Sequence, residues 1–390
     1  MQIHLKELRV LPCLMMIVLA LQLSIEFNAI GMRMVSYAML AMMLAASLCS
    51  FILVVRQRAI TFIDLLYIVL LVTLLASSLF NGTDTKQIFY ICFKILLLRF
   101  LFNYYQGHLC PLIIGLAIGF SIAALAQFFQ LVIQPELWIN PENNENNGYI
   151  LGSNYNQIGV RLLITIALNL LCTKISRWFY FLLVPCILIG VAIPIMVGSM
   201  TATTCIILFL FLCLIPFRHL RRMSFLSLLI AIALFQVFVC FNGKGIENND
   251  FMVWFIEDVL KKDITFTGRT HMWDSALRVI TQSPIWGYGY PNEEWYVTHM
   301  TSFAVGPHNM LLGMLIYGGI IAFFLYLYIL AVSLFRTFCT HDYWADCIII
   351  CIAVLSLMML MEAYPIAIVF SFFTLAEYYP QLHQRLTSCP

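Results

Sequence analysis

The sequence predicts an all-α, polytopic membrane protein of about 12 transmembrane helices, with a large outward loop between spans 9 and 10. Three observations predict it. Hydrophobic residues make up 62% of the 390 residues and charged residues 10%, against roughly 45–50% and 25% in soluble domains. No water-soluble interior is large enough to hide that much apolar surface, so a bilayer must serve as solvent. The apolar residues also run in stretches of about 17–25, the length a helix needs to cross a hydrocarbon core. Lys and Arg, finally, gather on alternate connections, as the positive-inside rule requires.

In chain order the stretches lie near 10–27, 34–55, 60–80, 86–103, 110–134, 156–173, 178–197, 201–216, 223–241, 308–335, 345–362 and 364–379. One set of connections carries Lys6, Arg9, Arg56, Arg58, Lys174, Arg177, Arg218, Arg221, Arg222, Arg336 and Arg385. The opposite set carries Arg33 and Lys86 and little else. Both termini are therefore expected in the cytoplasm. The stretch Val10 to Leu23 follows Lys6 and Arg9 as a signal sequence would, but no small-x-small cleavage site comes after it, so it reads as the first span. Three regions result. Residues 1–241 form a bundle of spans 1–9 with an Asn-rich outward loop near 135–155, residues 242–307 form the large outward loop with amphipathic helices, and residues 308–390 form spans 10–12 and a short cytoplasmic tail.

Several function classes fall away on composition. The net charge of +2 gives no basic surface for nucleic acid. No Walker A pattern and no long cytoplasmic stretch is present for a nucleotide-driven motor. The 13 cysteines include no CxxC pair, so neither a disulfide framework nor a metal site is expected. No cofactor is implied.

Chemistry concentrates in the outward loop. Phe251, Met252, Phe255, Ile256, Val259 and Leu260 recur at helical spacing, so 250–262 reads as a helix lying on the membrane or packed against the bundle. Beyond it, Met272, Trp273, Ala276, Leu277 and Ile280 mark one face of a second helix, stopped by Pro284. Thr267 or Thr270 stands where a cap would. Arg269 at that helix start offers a planar fork for phosphate beside free backbone N–H groups, although a solvated surface arginine explains it equally well. Gly287 and Gly289 in the run PIWGYG permit a tight turn with close backbone approach. His308 and Asn309 then open span 10. An imidazole at that outer mouth can take a proton from a hydroxyl, and Asn309 can fix a sugar or orient the ring; a packing role for both is the plainer alternative.

Ionisable residues inside spans are expensive and usually paired or functional. Arg161 lies a turn into span 6 from the outer side, just after Asn154, and can point a cation into an outward cavity. Lys94 sits near mid-membrane. Arg99 is expected to snorkel toward the cytoplasm. Glu26, Asp64, Glu362 and Glu377 sit near span ends, where solvation is cheap.

The order Gly268-Arg269, Trp273, Pro284, Gly287-x-Gly289, His308-Asn309, with Gly318-Gly319 after it and GSNYN at 152–156 before span 6, resembles the O-antigen ligase and O-antigen polymerase superfamily. That resemblance implies a cell-envelope glycosyltransferase of polysaccharide biosynthesis in the bacterial inner membrane. Its donor would be an undecaprenyl-diphosphate-linked glycan and its acceptor a glycan or lipid core, with membrane lipid around it and a chain-length regulator as a further partner; neither metal nor nucleotide sugar would be required. It also implies catalytic roles for Arg269, on the diphosphate, and His308, on the acceptor hydroxyl. Arg161, Asn154, Thr270, Trp273, Gly287, Gly289 and Asn309 would bind substrate around them. One departure stands out: many relatives carry Ser-Arg at the turn after span 7, where this chain reads Ser199-Met200. The alternative reading is a transporter or flippase of lipid-linked oligosaccharide, which the span count suits but the long outward loop does not.

Overall fold

In the computed structural model, residues 10–27, 30–57, 60–135, 151, 157–254, 257–258, 268–301 and 306–388 are described. Among them every regular element is helical. The bundle runs α1 (Val10–Ser24), α2 (Arg33–Arg56), α3 (Phe62–Asn81), α4 (Thr85–Tyr104), α5 (Leu109–Ile133), α6 (Ile158–Ile175), α7 (Phe179–Met196), α8 (Met200–Leu214) and α9 (Arg218–Phe235). The loop carries α10 (Asp250–Trp254), α11 (Arg269–Gln282) and α12 (Glu293–His299), and the chain returns through α13 (Met310–Phe338), α14 (Tyr343–Met358) and α15 (Ile366–Ser388). Each stretch expected to be a span coincides with one of the bundle helices. Seven of these helices (α2, α3, α5, α6, α7, α13, and α9 with the turn after it) are long and apolar enough to cross a membrane. Of the amphipathic helix expected over 250–262, five residues are seen as α10; the Asn-rich loop, the GSNYN run with Asn154, and Thr267 lie outside the described residues.

Small residues set the closest helix contact. Gly115 and Gly119, one turn apart on α5, face α1, and a Cβ at Gly115 would lie 2.3 Å from the Cys13 carbonyl oxygen. In lipid, where hydrophobicity does not drive helices together, such close approach is what gains dispersion and packing. α6 is nearly enclosed by its neighbours, so its one cation, Arg161, is held inside protein before Lys174 in its last turn.

At the end of the bundle richest in Lys and Arg, charge is buried rather than solvated. Arg99 was expected to snorkel; instead it is fully buried, donating from Nε and Nη2 to Asp64 (3.0 and 2.6 Å) and from Nη1 to Glu377. Asn103 and Thr61 complete Asp64 at 2.7 and 2.8 Å, and Arg336 reaches Glu377 at 3.2 Å. Asp64 and Glu377 are thus not span-end groups in water. Helical geometry aims them inward, where each needs a cation, and α3, α4, α13 and α15 are tied together by that need.

The outer return of the chain depends on a broken helix. α13 loses helical geometry at Gly318 and Gly319, which orphans backbone groups that lipid cannot satisfy. The loop 284–290 satisfies them: Tyr288 and Gly289 N–H donate to the Ile316 and Tyr317 carbonyls (2.6 and 3.0 Å), and Ile320 N–H donates to Pro284 O at 2.9 Å. The α3–α4 link grips the same loop from the other side, with Asp84 N–H on Tyr290 O and Thr83 on Tyr288 O, both 3.0 Å. Gly319 has φ +61°, and a Cβ there would lie 2.1 Å from the Ile285 oxygen. With ψ at −158° this positive φ is a region open essentially to glycine alone and costs an L-residue about 1–3 kcal/mol, and overpacking adds typically about 1–3 kcal/mol. Gly319→Ala is therefore expected to lower the unfolding temperature and the amount of protein recovered from membranes. Gly306→Ala, with open space around its Cβ, should change stability by less than about 0.5 kcal/mol.

Candidate active site

Four consecutive residues after α14 act as a strap on which the loop between α9 and α13 hangs. Met359 O accepts from Met310 N–H at 2.9 Å, and Leu360 O from Asn309 Nδ2 at 3.1 Å. Met361 O accepts from Arg269 Nε at 3.0 Å, and the Glu362 carboxylate meets His308 Nδ1 at 3.0 Å. Arg269 and His308, 39 residues apart in the chain by their numbers, are thus fixed to adjacent residues.

His308 is held in several ways at once. Its φ of +44° is unusual for a side chain with a Cβ and costs about 1–2 kcal/mol. Such strain persists where surroundings over-determine it, often at functional positions. Here the indole of Trp273, itself fully buried on α11, donates to the His308 carbonyl at 3.4 Å, and Asn309 fixes the residue after it. With a carboxylate on Nδ1, the proton sits on that nitrogen and Nε2 is left as the acceptor. Glu362 is the residue that sequence reasoning missed. It looked like a solvated span-end acid, yet its side chain is 12% exposed. The one available signal was a lone carboxylate in the short polar break MEAYP between two apolar stretches.

Other expected site residues have plainer positions. Asn309 caps α13 by accepting from Leu312 N–H (3.0 Å), and it donates to Gln236 Oε1 (2.8 Å) as well as to Leu360. Its donors and acceptor are occupied inside the protein. Gln236 opens a π-helical turn, Gln236–Cys240, that ends α9. Thr270 does not cap α11: Gly268 holds that position with φ +80°, and the buried Thr270 hydroxyl has no hydrogen-bond partner among the described residues. Gly287 and Gly289 sit against the backbones of α13 and α3, where a Cβ would come within 2.4 and 2.3 Å of other atoms; their work is the interlock described above. Met200 is 69% exposed at the start of α8.

The strap continues into a cavity of about 320 Å³. Ala363, Tyr364 and Pro365 form part of its wall, and Tyr364 lies within the fields of both Glu362 and Arg269. Arg161, Lys94 and Glu26 line it as well, with Tyr290 and Tyr317 brought in by the interlocked loop and the broken helix. Arg161 is 3% exposed, spends Nε on the Leu23 carbonyl at 3.3 Å, and leaves Nη1 with no partner. The cations of this tyrosine-rich cavity can hold an anion, and its wall begins at Ala363, one residue along the strap from Glu362 and its histidine. Tyrosine rings add flat faces that suit sugars.

A helical membrane protein with a cavity lined by Arg161 and Lys94 and a hydrogen-bonded His308–Glu362 pair is the class that fold and site define. Residues 186–327 match the family model described as O-antigen ligase. The match takes in α11, the interlocked loop, His308 and the glycine break, and it supports the O-antigen ligase and polymerase resemblance carried by Gly268 to Asn309. Arg161, Lys94 and Glu362 lie outside it. No curated protein matches the chain.

Proposed function

We propose that the protein is a glycosyltransferase of the O-antigen ligase or polymerase type, moving glycan from an undecaprenyl-diphosphate carrier to a hydroxyl of a lipid-borne acceptor at the outer leaflet of the inner membrane. Both termini would lie in the cytoplasm, following the charge asymmetry of the connections. The observation that carries this reading is the strap: Arg269 and His308 bind its adjacent residues, and the residues after them wall the cavity holding Arg161.

In this scheme the diphosphate lies in the cavity against Arg161, and Arg269, held on Met361 two residues before the cavity's Ala363, approaches it from the strap. The acceptor oxygen attacks the anomeric carbon, the bond from that carbon to the phosphate oxygen breaks, and the electron pair leaves on the lipid diphosphate. The acceptor proton passes to His308 Nε2, while Glu362 holds the ring and balances the charge it gains. Fixed cations that meet charge developing on the leaving group stabilise it without reorganising. No step calls on a metal or a nucleotide sugar.

Removing one such contact costs on the order of 3 kcal/mol, or about a hundredfold in rate. Arg269→Ala is thus expected to shorten or abolish glycan attachment on a gel of surface polysaccharide, at unchanged protein level in the membrane. An unaltered banding pattern would defeat the proposal. Transport of lipid-linked oligosaccharide across vesicles by a purified protein that joins no sugars would favour the flippase reading instead.

A further inference from the structure

α9 and α13 are joined at two levels and part between them. Toward the strap, the Gln236 and Asn309 side chains exchange hydrogen bonds at 3.4 and 2.8 Å. At the other end the Phe225 and Phe338 rings lie 6.1 Å apart, and Arg222 Nη2 donates to Phe338 O at 2.7 Å. The space between is a cleft of about 280 Å³, lined also by Ser356 of α14 and by Met359 and Leu360 of the strap. Ala233 and Val237, one turn apart, line it and are exposed, so the cleft opens on the apolar flank of the bundle. From Leu229 to Val237 it follows about 12 Å of helix, most of one leaflet of a hydrocarbon core about 30 Å thick.

The chemistry of the wall selects the occupant. Three of the lining side chains carry nitrogen or oxygen, and each is spent inside the protein. Gln236 is on Asn309, the Ser356 hydroxyl donates to Ile352 O at 2.8 Å, and the Tyr326 hydroxyl donates to Met359 Sδ at 3.5 Å. A sugar or phosphate entering here would lose its water and find no partner; a hydrocarbon chain loses nothing. The cleft shares no lining residue with the cavity of Arg161 and Lys94. Near the strap its wall includes Met310 and Met359, joined N–H to O at 2.9 Å, and His308 stands two residues before Met310.

We propose that this cleft holds the hydrocarbon chain of the lipid-borne acceptor and so sets the acceptor's hydroxyl beside His308. This rests on His308's taking the acceptor proton. In that scheme the donor's diphosphate occupies the other cavity, which leaves the cleft beside His308 to the acceptor. Lipid tails are as apolar as the cleft, so entering it gains packing rather than hydrophobic free energy. The larger gain is position. A chain lying here puts its headgroup at the strap, and holding a reactant in place lowers the barrier more than the contact itself does.

The test uses the full chain in nanodiscs with lipid-linked donor and, as acceptor, glycolipid extracted from the envelope of the source cell. The acceptor is offered intact or stripped of its hydrocarbon chains by hydrolysis. Wild type should prefer the intact form in kcat/KM, and Ala233→Trp, which puts an indole in the cleft, should lower that preference about tenfold with transfer to the stripped form unchanged. Membrane partition favours the intact form in every variant alike, so the part lost is the cleft's. Ala231→Trp, at an exposed position off the cleft wall, should match wild type. A preference equal in wild type and Ala233→Trp would overturn the proposal, and so would a raised KM for the donor, which would give the cleft to the carrier's chain. A second readout needs no transfer. The photo-crosslinker p-benzoylphenylalanine in place of Val237, irradiated in native membranes, should capture a glycan-bearing lipid; capture of ordinary phospholipid alone would sink the idea. Capture of a glycan-bearing lipid by a protein that joins no sugars would leave the cleft standing and remove the transferase reading alone.

Discussion

His308→Gly is expected to yield a protein that folds with stability close to wild type and transfers glycan about a hundred- to ten-thousand-fold more slowly, the usual range for loss of a general base. Two effects oppose each other in stability. Glycine relieves a φ of +44°, worth about 1–2 kcal/mol, while the Glu362 carboxylate loses its partner at 3.0 Å. Activity has no such compensation in this scheme, since glycine supplies no group to take the acceptor's proton. The check is a turnover assay with purified enzyme alongside thermal unfolding. Retained turnover in a stably folded His308→Gly protein would remove the imidazole from the mechanism. Glu362→Gln separates positioning from proton transfer. Its amide can still meet Nδ1 but does not balance an imidazolium, so kcat should fall more than KM rises.

The largest stability effect is expected at Arg99. Arg99→Met strands Asp64 and Glu377 in a buried site, and breaking a buried pair by removing one partner costs about 3–5 kcal/mol. Little folded protein should be recovered, and what remains should unfold at markedly lower temperature. The decisive comparison is the triple variant Arg99→Met, Asp64→Asn, Glu377→Gln. If uncompensated charge is the cause, removing all three charges recovers most of the loss, since replacing a whole buried ion network is often neutral. A triple variant as unstable as the single one would mean that the guanidinium matters for shape: it also stacks on Tyr67, with Cζ 4.6 Å from the ring centre.

The same residue shows why sequence reading stops where it does. A single arginine late in an apolar helix has two outcomes, snorkelling to the headgroups or pairing inside, and hydropathy is the same for both. Asp64 and Glu377 decide between them, and they lie 35 and 278 residues away. Glu362 was hidden for a related reason. A carboxylate between two apolar stretches is cheap to solvate until a loop from elsewhere covers it, and the covering histidine is 54 residues off. Asn309 is a different case: its place beside His308 suggested a sugar contact or a role in orienting the ring, and the structure shows Gln236, Leu360 and Leu312 using its hydrogen bonds.

What the sequence determined by itself is the part of the problem governed by near neighbours. Runs of apolar residues need a bilayer and form helices there, because no other way of satisfying the backbone is open to them. Glycines and prolines mark where those helices stop, and the order Arg269, Gly287, His308 marks the stretch where chemistry collects. Only the tertiary structure decided which polar atoms are already spent and which still face open space. That depends on distances between residues far apart in the chain: Arg269 on Met361, His308 on Glu362, and Arg161 in one cavity with Tyr364. A buried charge or donor takes its meaning from whether its partner is protein or a ligand, and that is set by packing rather than by local pattern.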